Sequence, residues 1–64
     1  MITHRQCMNT KAFSICVGDE MADGSIVEEV RCTNGGLWIV TNNETSSRWY
    51  RNEELVLMLF CYAW

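Results

Sequence analysis

The sequence lacks proline altogether and has no low-complexity run and no internal repeat. These absences leave no candidate for a disordered or repetitive segment. Apolar residues make up 48% of the chain and charged residues 20%, which is typical of a folded globular protein. Because 64 residues suffice for one domain at most, we predict a single small domain over residues 1–64.

Basic residues are few and dispersed. Five Lys and Arg stand against eight Asp and Glu, so the formal net charge is −3 and the sequence pI is about 4.8. Five of the acids fall between Asp19 and Glu29, with no basic residue among them. An acidic surface repels a phosphate backbone, so the composition argues against a general nucleic-acid binder.

A secretory signal is not expected, because the first residues contain no apolar core. The apolar run "LVLMLFCYAW" (55–64) is shorter than the roughly 20 residues that a membrane-spanning helix needs. We therefore expect a cytoplasmic protein that does not contact membranes, in a bacterium or in a phage-infected host cell. In that compartment the four cysteines should be reduced thiols.

Histidine is scarce as well, since His4 is the single one. Together with Cys7, Cys16 and Cys32 it has the ligand types of a zinc site, but the spacing gives one loose pair instead of two close ones. Cys16 and Cys32 are interpreted as small buried apolar residues of strands. No orienting acid or oxyanion hole accompanies a Cys–His pair. We predict no metal, no cofactor and no enzymatic activity.

What the chain does have is apolar alternation with period two, which predicts strands. The strands are predicted over residues 12–17, 25–33, 36–42, 47–51 and 55–64. Between the second and third, Asn34-Gly35 predicts a tight hairpin with a type I′ turn. Residues 52–54 are predicted to form a single 3₁₀ or helical turn before the last strand.

This order of elements predicts a mainly β protein, a small five-stranded barrel with residues 1–11 as an N-terminal arm. The stretches "VGDEMADGSIVEEV", "GLWIVTN" and "RWYRNEELVLM" resemble the Src-homology-3-like (SH3-like) barrels of transcription-elongation KOW modules. They also resemble many small bacterial and phage proteins. The resemblance covers residues 17–58 and implies the fold, but it implies no single function.

The last predicted strand is apolar on both faces. Alternation places Leu55, Leu57, Leu59 and Cys61 on one face, and Val56, Met58, Phe60, Tyr62 and Trp64 on the other. A barrel has only one interior, so one face is left over and needs a cover. The cover is either the N-terminal arm, a second copy of the chain in a homodimer, or another protein. A helix over 53–63 is the competing interpretation of the same residues.

Aromatic residues and arginines are the usual anchors of protein interfaces. The predicted partner-binding residues are Trp38, Arg48, Tyr50, Met58, Phe60, Tyr62 and Trp64. Trp49 alternates with Arg48 and Tyr50 and is assigned to the core. A second predicted element is an acidic docking loop formed by Asp19, Glu20 and Asp23.

The function predicted from these features is that of a small phage-type or bacterial interaction protein. It would bind a host protein stoichiometrically and modulate or inhibit it. The resemblance to small phage barrels implies inhibition of bacterial immune systems, as anti-CRISPR proteins do. One alternative is a KOW-like module that acts with nucleic acid in transcription. Another is an oligomeric binder of small molecules or nucleotides.

Overall fold

The computed structural model of the chain describes residues 3–63, with side chains from His4 to Cys61. It is mainly β and contains β1 (Thr3–Lys11), β2 (Glu20–Met21), β3 (Val27–Thr33), β4 (Gly36–Thr41), β5 (Arg48–Arg51) and β6 (Leu55–Ala63). The strands form two antiparallel three-stranded sheets, with the orders β1–β6–β2 and β3–β4–β5. An isolated bridge between Glu20 and Ile26 links the two sheets.

The mainly β prediction is confirmed, but the five-stranded barrel is not, because residues 3–63 form six strands and no closed barrel. The predicted N-terminal arm contains β1, which pairs with β6 from Thr3 to Lys11. The strand predicted over 12–17 is wrong. Its first residues form a 3₁₀ helix, Ala12–Ser14, because the Ala12 amide donates to the Glu54 carbonyl at 2.9 Å and turns the chain off the sheet edge.

The helical turn predicted over 52–54 is also wrong. The Glu54 amide donates to the Arg51 carbonyl at 3.1 Å and closes a β-turn there. The second 3₁₀ helix of the described chain lies earlier, at Glu44–Ser46. It begins where the Asn43 side chain accepts a hydrogen bond from the Thr45 amide, which satisfies an unpaired donor of the first turn.

The hairpin between β3 and β4 is confirmed, with Thr33 opposite Gly36. Its turn type differs from the prediction. Gly35 has φ +81°, but Asn34 does not have a positive φ. This is the φ pattern of a type II turn, in which only the third position is left-handed.

A β-bulge interrupts β3 near its start. Val27 lies opposite Thr41, and the next pair is Glu29 with Val40, so Glu28 has no residue opposite it. The extra residue turns both Val27 and Val30 toward the core, although simple alternation assigns them to different faces. Strict alternation along residues 25–33 predicts that Val27 shares a face with Glu29 and Arg31, and the bulge makes that prediction wrong.

The strand prediction for the C-terminal run is confirmed, because β6 is extended from Leu55 to Ala63. Met58 is 1% exposed and belongs to the core, whereas Leu55 is 60% and Leu57 48% exposed. Strand β1 covers one edge of β6 and leaves this outer face open. The core that both sheets enclose consists of Ala12, Ile15, Met21, Val27, Leu37, Ile39, Tyr50, Val56 and Met58.

Candidate functional site

Two tryptophans lie side by side on the outer face of the β3–β4–β5 sheet. Trp38 on β4 is directly opposite Trp49 on β5, and Arg31 on β3 is opposite Trp38. Directly opposite residues of antiparallel strands point to the same face. Trp38 is 49% and Trp49 36% exposed. We call this surface, made of Glu29, Arg31, Trp38, Val40 and Trp49, the tryptophan face.

Trp49 has a fixed position on this face. Its ring lies over Gly36, where a Cβ atom would collide with the indole and with the Tyr50 carbonyl oxygen. The indole Nε1 donates to Thr33 Oγ1 at 2.9 Å, and that hydroxyl donates to the Gly36 carbonyl at 3.1 Å. The ring is thus held by packing and by a hydrogen bond. An aromatic side chain fixed before binding loses little entropy when a partner arrives.

Beside Trp38 is a shallow pocket of about 320 Å³ lined by Glu29, Arg31, Trp38 and Val40. The Arg31 guanidinium Nε lies 2.9 Å from the Glu29 carboxylate; the Arg31 side chain is largely exposed and that of Glu29 is about half exposed. The pocket therefore combines an aromatic surface with one charge pair at its margin. This is the composition of a protein-interface centre with a polar rim.

The structure does not bring the predicted partner-binding residues together. Trp38 lies on the tryptophan face, whereas Met58 and Tyr50 are buried in the core, so their prediction as contact residues is wrong. Phe60 is 39% exposed on the β1–β6 ribbon. The side chain of Tyr62 and all of Trp64 lie outside the described residues.

The sequence analysis assigns Trp49 to the core and Tyr50 to the binding surface, and the structure shows the reverse. Trp49 is exposed and its neighbour Tyr50 is buried. Tyr50 lies opposite Leu37, and both side chains enter the core. A glycine at position 36 is the available signal for Trp49, because a bulky ring on one strand is often accommodated by a missing side chain on the next. Arg31 and Val40 of the tryptophan face carry no local signal.

Arg48 takes part in an internal cluster. Its guanidinium lies 3.8 Å from the centre of the Tyr50 ring and 2.7 Å from the Glu54 carboxylate. The Glu54 carboxylate raises the pKa of Arg48, and the Arg48 guanidinium lowers the pKa of Glu54. Burial raises the pKa of the Tyr50 hydroxyl. Arg48 therefore connects the Tyr50 ring to the Glu54 carboxylate at the edge of the core, although its side chain remains half exposed.

The acidic loop uses most of its carboxylates internally. Asp19 accepts a hydrogen bond from the Cys16 amide at 2.9 Å. Asp23 accepts hydrogen bonds from the Ser25 amide, the Ser25 hydroxyl and the Ser46 hydroxyl, which lower its pKa to about 2. Of the three predicted docking acids, Glu20 alone forms neither a side-chain hydrogen bond nor an ion pair with the described residues.

The cysteines are all exposed and free, so the interpretation of Cys16 and Cys32 as buried residues is wrong. Cys32 lies on β3, an edge strand, and Cys16 lies in the connection after the first 3₁₀ helix. Within residues 3–63, no three His, Cys, Asp or Glu side chains are close enough together to hold a metal ion. That part of the chain also contains no helix with the length and apolarity to cross a membrane.

Comparisons with protein-family models, with curated proteins and with solved structures find no match.

Proposed function

We propose that the protein is a small interaction protein that binds a host protein stoichiometrically in the bacterial cytoplasm and modulates or inhibits it. The binding site is the tryptophan face. The observation that carries the proposal is the exposure of Trp38 and Trp49 as cross-strand neighbours, at 49% and 36%.

Two exposed tryptophans at directly opposite positions of neighbouring strands put a large apolar area on one face of the sheet. Tryptophan is the residue most enriched among interface anchors, and anchors cluster near the centre of an interface. Trp49 is held in place by Gly36 and Thr33, and Arg31 lies opposite Trp38, so the surface has one fixed ring and is amphipathic. Both properties favour protein recognition over non-specific association.

The sheet order also supports the SH3-like barrel as a proposal about the fold. Strand β6 lies between β1 and β2, and the Glu20–Ile26 bridge connects the two sheets at one corner. A barrel left open along one side has this arrangement. The fold carries no function by itself, because small barrels host many activities.

The nucleic-acid alternative receives less support. Lys11, Arg31 and Arg48 each form an ion pair with a glutamate, so three of the five basic side chains are already neutralised within the chain. A strand of phosphates needs a continuous row of cations with no paired acids. We therefore place protein binding ahead of the KOW-like role.

A small-molecule role is the second candidate, and the pocket beside Trp38 favours it. Its volume of about 320 Å³ falls at the lower end of ligand sites. Nucleotides and signalling metabolites at millimolar concentration should raise the melting temperature if the pocket binds one of them. The Trp38→Ser variant should then lose that shift.

The proposed function is tested by comparing baits that differ at one exposed aromatic. Tagged wild-type chain, Trp38→Ser and Phe13→Ser are each incubated with bacterial lysate, and the retained proteins are identified. Phe13 is the matched control because it is also exposed but lies in the first 3₁₀ helix, outside the tryptophan face. A genuine partner is retained by the wild type and by Phe13→Ser and is lost with Trp38→Ser.

The purified partner then allows a measurement of stoichiometry and affinity by calorimetry. We expect a fixed stoichiometric ratio and, for Trp38→Ser, an affinity loss of at least about 30-fold, as for an interface anchor. If every retained protein binds Trp38→Ser as well as wild type, the tryptophan face is not the binding site and the proposal fails.

A further inference from the structure

The outer face of the β1–β6–β2 sheet has an apolar column along its central strand. The column consists of Leu55, Leu57, Leu59 and Cys61, which alternate along β6 with the buried residues Val56 and Met58 and with Phe60, which is 39% exposed. Leu55 and Leu57 are 60% and 48% exposed, so the column is open to solvent. We call this surface the leucine face. It is separate from the tryptophan face, which lies on the other sheet.

The two strands that flank the column differ in charge. On β1, Arg5 is opposite Cys61 and Lys11 is opposite Leu55, so this side is basic. On β2, Glu20 is opposite Leu59, so the other side is acidic. All of these side chains point to the outer face, because directly opposite residues of antiparallel strands share a face.

Two of these charges have no ion-pair partner within the described part of the chain. Lys11 is paired with Glu53 at 3.1 Å, but Arg5 and Glu20 occur in no ion pair with residues 3–63. Within one molecule the two side chains project side by side from the same face, with β6 between them, so they do not point toward each other. In a second copy stacked face to face, the corresponding side chains point toward them.

We propose that the leucine face is the contact surface of a homodimer in which a second copy stacks on it, about a twofold axis parallel to β6. This inference is independent of the tryptophan face and goes beyond the proposed function. The rotation superposes the leucine column of one copy on that of the other. It also places the basic strand β1 of each copy over the acidic strand β2 of its partner.

The charge pattern selects this axis over its alternative. The alternative is a twofold axis that lies between the two sheets but runs perpendicular to β6. It would stack β1 of one copy on β1 of the other and bring the basic residues Arg5 and Lys11 of the two copies together. The parallel axis instead brings Arg5 of one copy within reach of Glu20 of the other, twice per dimer. Face-to-face sheets lie about 10 Å apart, a gap that the long arginine side chain and the glutamate can bridge.

The first test is the oligomeric state by sedimentation equilibrium over a wide concentration range. Wild type should be a dimer, and Leu57→Ser should weaken it roughly a hundredfold because two exposed leucines no longer become buried. Trp38→Ser is the matched control on the other sheet and should dimerise like wild type. A chain that stays monomeric at millimolar concentration, or a dimer lost with Trp38→Ser and kept with Leu57→Ser, overturns the proposal.

The second test is a charge exchange. Arg5→Glu alone and Glu20→Arg alone should each weaken the dimer about tenfold, because each creates two like-charge contacts. The double variant Arg5→Glu/Glu20→Arg restores opposite charges across the axis and should recover most of the wild-type affinity. Circular dichroism checks that all three fold. Additive weakening in the double variant would refute the pairing of Arg5 with Glu20.

The third test uses a native cysteine. Cys61 lies on β6, the strand that runs parallel to the proposed twofold axis. The rotation therefore places the two copies of Cys61 opposite each other in the dimer. In a Cys7→Ser/Cys16→Ser/Cys32→Ser background, a short bis-maleimide should link two chains through Cys61. Adding Arg5→Glu should reduce the yield together with the dimer population. Linkage that is absent from a proven dimer excludes the parallel axis.

Discussion

The indole ring of Trp49 lies over Gly36, at the point where β5 passes the first residue of β4. This contact explains two features together, namely the absence of a side chain at position 36 and the fixed orientation of an exposed tryptophan. The hydrogen bond from Trp49 to Thr33 completes the arrangement across all three strands of the sheet.

The first prediction concerns this contact. Gly36→Ala should lower the free energy of unfolding by about 3 kcal/mol, because the new methyl group meets a ring and a backbone oxygen that have little room to move. Tryptophan emission should change as well, since Trp49 is displaced. Urea unfolding followed by fluorescence measures both effects.

Gly18→Ala is the control for that variant. Gly18 has φ +96° but open space around its Cα atom, so alanine there introduces backbone strain without a collision. Its cost should be only about 1 kcal/mol, with an unchanged emission spectrum. Equal losses in the two variants would contradict the packing of Trp49 on Gly36.

The second prediction concerns the core. Ile39 on β4 is fully buried among residues of both sheets, so Ile39→Val should cost about 1 kcal/mol by removing one methylene group from a close-packed site. Val17→Ala removes apolar atoms from an exposed position and should change stability by less than about 0.5 kcal/mol. Chemical denaturation of both variants checks the difference, and a reversed order would place the core elsewhere.

The third prediction is an acid dependence that arises from Asp23. Hydrogen bonds from Ser25 and Ser46 lower the pKa of this carboxyl group from 3.8 to about 2 in the folded chain. Its contribution to stability is therefore fully present above the unfolded value and is lost as the pH falls toward 2. Asp23→Asn should make the decline of stability between pH 4 and pH 2 less steep.

Glu28→Gln is the comparison for Asp23→Asn, because Glu28 is exposed and its side chain forms no hydrogen bond with the described residues. At neutral pH, Glu28→Gln should change stability by less than about 0.5 kcal/mol, whereas Asp23→Asn loses the hydrogen bonds to Ser25 and Ser46 in their charge-assisted form and should be clearly less stable. An unchanged slope in Asp23→Asn would mean that the loop does not depend on that carboxylate.

The fourth prediction is an alkaline dependence that arises from Tyr50. Burial raises the pKa of its hydroxyl above the ordinary value of 10.0, although Arg48 acts in the opposite direction. The folded chain therefore holds this proton more tightly than the unfolded chain, and stability should fall as the pH rises above 10. Tyrosinate absorbance and urea unfolding, both measured against pH, should show the transition.

Tyr50→Phe separates this effect from general alkaline unfolding. The variant loses the hydrogen bond from the Tyr50 hydroxyl to the Ser46 carbonyl, which should cost about 1 kcal/mol at neutral pH. Above pH 10 its stability should decline less than that of wild type. If both chains lose stability in parallel, another group governs the alkaline limit.

Local sequence patterns predict some of this structure because their causes are local. Asn34-Gly35 specifies a tight turn, and the hairpin around it is where the pattern places it. The alternation of Leu37, Trp38 and Ile39 predicts the faces of β4 correctly, since no bulge interrupts that strand. Exposure of Trp38 follows from the same alternation.

Other features depend on partners that are distant in the sequence. In Arg48–Arg51 either face could be the buried one, and the choice of Tyr50 over Trp49 is made by the register with Leu37. Strand β1 has no apolar face of its own, and its conformation comes from pairing with the edge of β6. The internal use of Asp23 requires Ser46, which is 23 positions away.

The position of β6 has a consequence for how the molecule folds. This strand follows the other five described strands along the chain, yet it lies at the centre of its sheet and pairs with both β1 and β2. The β3–β4–β5 meander pairs only strands that are neighbours in sequence, so it needs no distant residue. The other sheet has no central strand without Leu55–Ala63. A chain truncated before Leu55 should therefore expose its core and be cut rapidly by proteases, although all three strands of the meander are still present.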